Sequence, residues 1–324
     1  MAEKKYAIIL GNLGNTCDRF CSTGYKDNPG TAEMLEAAAS IEGLTGVELV
    51  GTWDIRADNV REMAGWLDGL GLECASIIPD HFSQAIWWKG AFTSREASVR
   101  RKAVEVTLEA CEFASILGCD LINIWNGQDG YDYPLQADYD TERTWLAEGL
   151  RECTQAYPGM RFALEYKPKE PRTHSYLARM ADTLLVCQEV GTANVGVTID
   201  VGHSLVGYED VAEAVVLAKR AGNRLFHMHF NDNFRAWDDD MIVGSVHTVE
   251  YIELLYWLDR TGYEGWLSMD QYPYREDGRD ALAESVAWLQ GFQVKVDNHR
   301  EDIDALLHIG EATQTSAFLR RLFL

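Results

Sequence analysis

The sequence predicts an α/β fold, a single (β/α)8 TIM barrel over residues 1–296 with a C-terminal helical extension over 297–324. Three observations carry that expectation. Short apolar runs alternate with longer amphipathic stretches eight times along the chain. Most of the short runs are too apolar to face water on either side, as in a parallel sheet covered by helices. The loop after the first run, Gly11-Asn12-Leu13-Gly14-Asn15, lacks the spacing and helix start of a dinucleotide-binding turn, which disfavours an open doubly wound sheet.

The first strand is expected at 6–10, the run Tyr6-Ala7-Ile8-Ile9-Leu10, and its helix at 31–43. The second pair is 47–51, entered from Gly46, with 57–70; the third is 74–78, entered from Gly71, with 95–118. In that third helix Val104, Leu108, Cys111 and Ala114 recur at three- and four-residue steps. Gly118 precedes the fourth strand, 120–125, and its helix is 142–157; Pro158-Gly159 precedes the fifth, 161–166, with helix 175–190. The sixth pair is 195–200 with 209–222, the seventh 224–230 with 248–261, and the eighth 265–270 with 278–295. The apolar tail Ala317 to Leu324 is expected to pack against another subunit or its own barrel.

At 47% hydrophobic and 11% aromatic the composition is that of a globular protein. Lys and Arg number 29 against 51 Asp and Glu, a net charge of −22 that repels phosphate backbones and anionic lipid. Nucleic acid and membrane are therefore not expected as partners, and no apolar run approaches the roughly 18 residues of a spanning helix. The N-terminus lacks a secretory signal, and the seven cysteines are odd in number and scattered. They read as reduced thiols of a cytoplasmic protein.

Reactive groups of such a barrel lie at the C-terminal ends of the strands. There the sequence places Glu165 and Lys167 after strand five, Asp200 and then His203 after strand six, and His227 and His229 on one face of strand seven. Asp270 ends strand eight, and Asp238 and Asp240 lie in the loop after strand seven. Taken singly, an Asp at a strand end is more often a turn or cap residue, and His227 could be a satisfied interior histidine. Together, Glu165, Asp200, Asp238, Asp240 and Asp270 would converge on one pocket and could not all stay ionised without counter-charge. Two divalent cations and Lys167 supply that charge. Oxygen-rich ligation with one or two imidazoles suits Mn2+, Mg2+ or Co2+.

The segment from Arg161 through Glu165-Tyr166-Lys167 to Pro171 resembles the strand-five motif of xylose isomerases. Gly196 to His203 is similar to their strand-six motif, with Asp200 in place of Glu, and Leu225 to Asn231 to their strand-seven motif, with His229 in place of a carboxylate. An imidazole there resembles L-rhamnose isomerases and ketose 3-epimerases. Trp125-Asn126-Gly127-Gln128-Asp129-Gly130 is similar to the strand-four segment that carries an active-site tryptophan.

The resemblance implies a first metal on Glu165, Asp200, His229 and Asp270, and a second on His203, Asp238 and Asp240 with Asp200 bridging. It implies aldose–ketose isomerisation of a free, unphosphorylated sugar by a metal-assisted 1,2-hydride shift, with Lys167, Glu165 and Asp270 as the catalytic groups. Lys167 would hold the C1 oxygen, and Trp125 with Trp87 or Trp88 would wall water from the hydride. Asn231 is placed among the substrate contacts. Xylose isomerases use a histidine after strand two to open the sugar ring; here Trp53-Asp54 stands there, and His81 is the substitute candidate. The alternative enzyme is a ketose 3-epimerase in which Glu165 and Asp270 remove and return the C3 proton. The shorter Asp270, Lys167 and the Asp238–Asp240 loop count against it. DNA-repair endonucleases of the same superfamily want a basic face that this chain lacks, and a non-catalytic sugar-binding relative would have lost Lys167 or a ligand. A homo-oligomer, dimer or tetramer, is expected.

Overall fold

The computed structural model describes residues 4–324. Eight parallel strands close into a barrel: β1 (Lys5–Ile9), β2 (Leu44–Val50), β3 (Glu73–Ile78), β4 (Leu121–Trp125), β5 (Arg161–Glu165), β6 (Val195–Asp200), β7 (Leu225–Phe230) and β8 (Trp266–Met269). They neighbour one another in chain order, and β1 pairs with both β2 and β8, so no edge is left open. The helices packed around them are α1 (Thr31–Ala39), α2 (Val60–Leu70), α3 (Ala97–Leu117), α4 (Tyr139–Ala156), α5 (Met180–Val190), α6 (Val201–Val206), α7 (Val211–Arg220), α8 (Thr248–Thr261) and α9 (Gly278–Asn298). Two more, α10 (Arg300–Ile309) and α11 (Ala312–Phe323), form the extension.

Local chemistry sets these limits. Asp138, Asp210 and Asp277 cap α4, α7 and α9 by accepting from the backbone N–H three residues on. At the other end, α3 and α8 stop where Gly118 and Gly262 take φ of 70° and 76°, a left-handed turn that costs glycine nothing. All eight predicted strands and their helices are present, with three differences. The helix expected from 175 begins at Met180, because a two-stranded ribbon, Gly130–Tyr131 with His174–Ser175, is folded over the β5 end first. The helix expected at 209–222 is preceded by the unforeseen α6, which starts directly from Asp200. The last barrel helix runs unbroken to Asn298, past the expected boundary at 296. In the extension Phe318 is buried edge-on against His299, at 5.6 Å between rings, while Leu324 is fully exposed.

One apolar core fills the space between strands and helices, with Leu35, Leu150, Val215, Leu255 and Leu289 at zero exposure. A second, small cluster of Ile9, Val50 and Ile78, with Phe82 against it, sits at the C-terminal mouth of β1–β3. Inside the barrel the packing is partly polar: Glu48, Ser76, Asn123, Thr198, His227, His229 and Ser268 are all completely buried. No helix among the described residues is long and apolar enough to cross a membrane.

Candidate metal centre and active site

Each strand from β5 to β8 delivers one donor at the same end of the barrel. Glu165 closes β5, Asp200 closes β6, His229 is the penultimate residue of β7, and Asp270 follows β8 directly. The parallel register sets Asp200 beside His229 and His229 beside Ser268, which brings these positions to one level. His229 Nδ1 lies 3.5 Å from Glu165, 4.0 Å from Asp200 and 3.3 Å from Asp270. A second group shares Asp200: His203 Nδ1 is 3.8 Å from it, and His203 Nε2 is 3.1 Å from Asp238.

The placement of each donor has a local cause. Asp200 is the N-cap of α6 and accepts from the His203 N–H at 2.8 Å, which directs the first turn of α6, with His203 on it, into the cluster. Gly202 lies between them. A Cβ there would stand 2.1 Å from Asn231 Oδ1 and 3.0 Å from Asp238 Oδ1, so only glycine lets α6 approach this closely. Asp238 and Asp240 belong to the loop joining β7 to α8, and Asp232 pins that loop. Its backbone bridges to Met241, and its carboxylate accepts from the Val246 and His247 N–H groups at 2.8 and 3.0 Å and lies 2.7 Å from His247 Nδ1. From inside the barrel, Asn123 donates to Glu165 at 2.8 Å and accepts from Thr198 Oγ1 at 2.5 Å.

Burial by itself raises every carboxyl and lowers every basic group here. It prevails at Asp200, which is pushed up to about 7 despite His203, the negative charges of Asp238, Asp270 and Glu165 adding to the effect. It prevails at Asp240 too, which Asp238 and Asp270 help to hold well above the carboxylate range. At Glu165 the His229 imidazole outweighs burial and brings the carboxyl down to about 2; at Asp238 Lys167 and His203 outweigh burial and hold the carboxyl below its ordinary value. Against their own burial, Asp200 and Asp238 lift His203 to about 9, and Asp238 and Glu170 hold Lys167 well above its ordinary value. Acids whose charge depends on whichever cation lies nearest form a donor set that divalent ions suit. The side chains carry a further sign of this: His203 Nδ1, His229 Nδ1 and Asp238 Oδ1 are buried without a hydrogen-bond partner. Unpaired nitrogen and oxygen donors beside Glu165, Asp200 and Asp270 fit oxygen- and imidazole-ligated divalent cations.

Two unlike kinds of side chain line the cleft above this cluster. Glu165, Lys167, His203, Asp238, Asp240 and Asp270 are charged or titratable; Ile9, Val50, Trp53, Ile78, Phe82 and Trp125 are apolar or aromatic. Lys167 Nζ is 2.8 Å from both Asp238 and Glu170 and 5.3 Å from the centre of the Trp125 ring. Phe82 packs between Trp125 and Trp53, at 4.7 and 5.5 Å between rings.

Residues 35–292 match the family model described as the xylose isomerase-like TIM barrel. The chain belongs to that family. It is 28% identical over 230 residues to the xylose isomerase of Thermus thermophilus, covering 69% of this chain and 59% of that protein. To the xylose isomerase of Thermus caldophilus it is 27% identical over the same length and the same shares. The chain thus spans 59% of the length of these relatives. In fold it is similar to L-ribulose 3-epimerase, with a TM-score of 0.72, 15% identity, and 93% of this chain and 98% of that one covered. D-psicose 3-epimerase from Clostridium cellulolyticum H10 gives 0.69, 16%, 89% and 99%.

Within this xylose isomerase-like barrel, Glu165, Asp200, His229 and Asp270 come together, as do Asp200, His203 and Asp238. Asp240 lines the cleft but lies outside that second group. Lys167 and Trp125 line it as well. Four expectations from the sequence need correction. His81 does not reach the cleft: the turn at Asp80, whose carboxylate accepts from the Ser83 N–H at 2.9 Å, sends its ring back toward α3. There His81 Nε2 is 3.1 Å from the Ala103 carbonyl and its ring meets Trp87 and Phe92 edge-on. Trp87 is buried with it, and Trp88 is 65% exposed beneath Lys89, so neither walls the cleft. Asn231 is completely buried and donates to Asp200 at 3.0 Å and to the Asp270 carbonyl at 2.9 Å, which makes it a support for the acids. Trp53 and Phe82 take the place of the missing wall. Both had a signal in the sequence, Trp53 as the residue standing where a histidine was sought and Phe82 as the neighbour of His81.

Proposed function

We propose that this protein is a divalent-metal-dependent aldose–ketose isomerase acting on a free, unphosphorylated sugar. The observation that carries this reading is the Lys167 ammonium in the cleft, set beside Trp125 and sharing Asp238 with the second donor group. A hydride shift develops negative charge on the C1 oxygen, which a fixed cation stabilises, whereas proton abstraction at C3 develops it on the C2 oxygen.

Glu165, Asp200, His229 and Asp270 would hold one Mn2+, Mg2+ or Co2+ ion, and Asp200, His203 and Asp238 a second, with Asp240 beside them in the cleft. Bound there, such ions polarise neighbouring sugar oxygens and acidify the C2 hydroxyl. Lys167 donates a hydrogen bond to the C1 oxygen as charge builds on it, while hydride passes from C2 to C1 and the proton released by the C2 hydroxyl ends on the C1 oxygen of the same molecule, so no external oxidant is consumed. Trp125, Phe82 and Trp53 exclude water from those carbons. The acid-lined cleft and the net charge of −22 favour a neutral polyol over a phosphorylated one. The seven free thiols support a reducing, cytoplasmic setting. We place the enzyme in a homo-oligomer, for which light scattering on the purified chain is the test.

The second reading, ketose 3-epimerase, is favoured by one feature: Glu165 and Asp270 both reach the cleft and both lie within 3.5 Å of His229. Proton NMR separates the two. A panel of free aldoses and ketoses is incubated with enzyme loaded with Mn2+ and then exchanged into Mg2+ and D2O. Aldose–ketose conversion with little deuterium at C1 or C2 is the expected result. Inversion at C3 with deuterium entering there would replace isomerase by epimerase.

A further inference from the structure

Below the acid cluster, the barrel interior contains a carboxylate that no substrate can touch. Glu48, on β2, is completely buried, and the Ser76 and Ser268 hydroxyls both donate to it. Its Oε1 lies 3.1 Å from His229 Nε2 and 2.9 Å from His227 Nε2. His229 thus stands between two environments. Nε2 meets Glu48; Nδ1, with no hydrogen-bond partner, faces Glu165, Asp200 and Asp270.

A neutral imidazole has one N–H and one lone pair, and a carboxylate already taking two hydroxyl protons can only accept. The N–H of His229 must therefore sit on Nε2. We infer that Glu48 is a positioning residue that fixes His229 in the Nε2–H tautomer and so aims the Nδ1 lone pair at the first metal group. The inference rests on reading that group as a metal site. It also accounts for a fully buried charge in a barrel whose strands are otherwise mostly apolar: the hydrogen bond holds the ring's orientation and raises its strength as a ligand. His227, edge-on to His229 at 5.0 Å between rings, flanks the same carboxylate.

The test uses the full chain labelled with 15N-histidine. In protein loaded with 113Cd2+, wild type should show cadmium coupling on His229 Nδ1 and a proton on its Nε2. Glu48→Gln, which keeps an acceptor but loses the charge, should weaken Mn2+ binding at the first site by about 10- to 100-fold in a paramagnetic-resonance titration. Glu48→Asp should recover part of that loss. Cadmium on Nε2 in wild type, which would put an ion among Glu48, His227 and His229, overturns the inference. So does a folded Glu48→Gln protein that binds Mn2+ within twofold of wild type. If Glu48→Gln does not fold, the wild-type coupling pattern decides alone. Wild type that binds no divalent cation would remove the functional reading itself, and the role of Glu48 with it; a binding wild type with an indifferent variant removes only the latter.

Discussion

Lys167 is held from two directions, by Asp238 and Glu170, so its ammonium is positioned before substrate arrives. Replacing it with methionine keeps most of the side chain's bulk and deletes the donor. Lys167→Met is expected to bind both metal ions and lose about 100- to 1,000-fold in isomerisation rate, the usual loss when one donor to a developing oxyanion is removed. Sugar turnover at the wild-type rate would take Lys167 out of the chemistry. Away from the site, Asp54 offers a stability measurement with a defined sign. Burial pushes its carboxyl from 3.8 up to about 6 even though the Val50 N–H donates to it at 2.8 Å. Between those two values the folded chain keeps a proton that the unfolded chain has released, so this group makes stability fall as pH rises from 4 to 6. Asp54→Asn should flatten the pH dependence of urea unfolding over that range by up to about 3 kcal/mol; a profile parallel to wild type would contradict the burial account.

At the level of elements, the second donor group depends on α6 and the β7–α8 loop meeting at Gly202. Gly202→Ala must push that loop outward, since the added carbon collides with Asn231 and crowds Asp238. We expect about 1–3 kcal/mol of lost stability, together with loss of one of two bound metal ions by atomic absorption. Asp238→Asn with Asp240→Asn should reach the same metal stoichiometry without the clash of an added carbon, and full sugar turnover by that one-metal protein would favour epimerase chemistry. The eight strands were legible in the sequence because each is a short, mostly apolar run, and three of the donors because the runs of β5, β6 and β8 stop at Glu165, Asp200 and Asp270. Less legible was α6, since Val201 to Val206 offers only six residues on which to read a period. His81, Trp87 and Trp88 were misplaced for a related reason. They lie in the segment between β3 and α3, whose path is set by the hydrogen bonds of two carboxylates, those of Asp80 and Asp129, and not by any repeating pattern. Glu48, Asn123 and Thr198 are isolated polar residues inside strand runs, and what they support is visible only once neighbouring strands are in register.

For the molecule as a whole, the charge of −22 draws cations to the entire surface, which could be mistaken for binding at the site. Burial separates the two. Asp200 and His229 are completely buried, so specific binding should resist screening that abolishes surface attraction. Adding Mn2+ at 100 times its dissociation constant should raise the melting temperature over that in EDTA by on the order of 5 °C. That shift should persist in 0.3 M NaCl, a salt level at which the surface contribution is about gone; its disappearance there would point to diffuse attraction only.

The groups lining the cleft come largely from different stretches of the chain: the acids, Lys167 and His203 from β5 onward, and the apolar and aromatic residues, Tyr272 apart, from β4 and before. Selectivity and reactivity are consequently separable traits on this scaffold. Exchanging Val50, Trp53, Ile78 or Phe82 should therefore change which sugar the proposed isomerase accepts without removing a donor, provided that Glu48, which sits behind His229 in the same part of the chain, is kept.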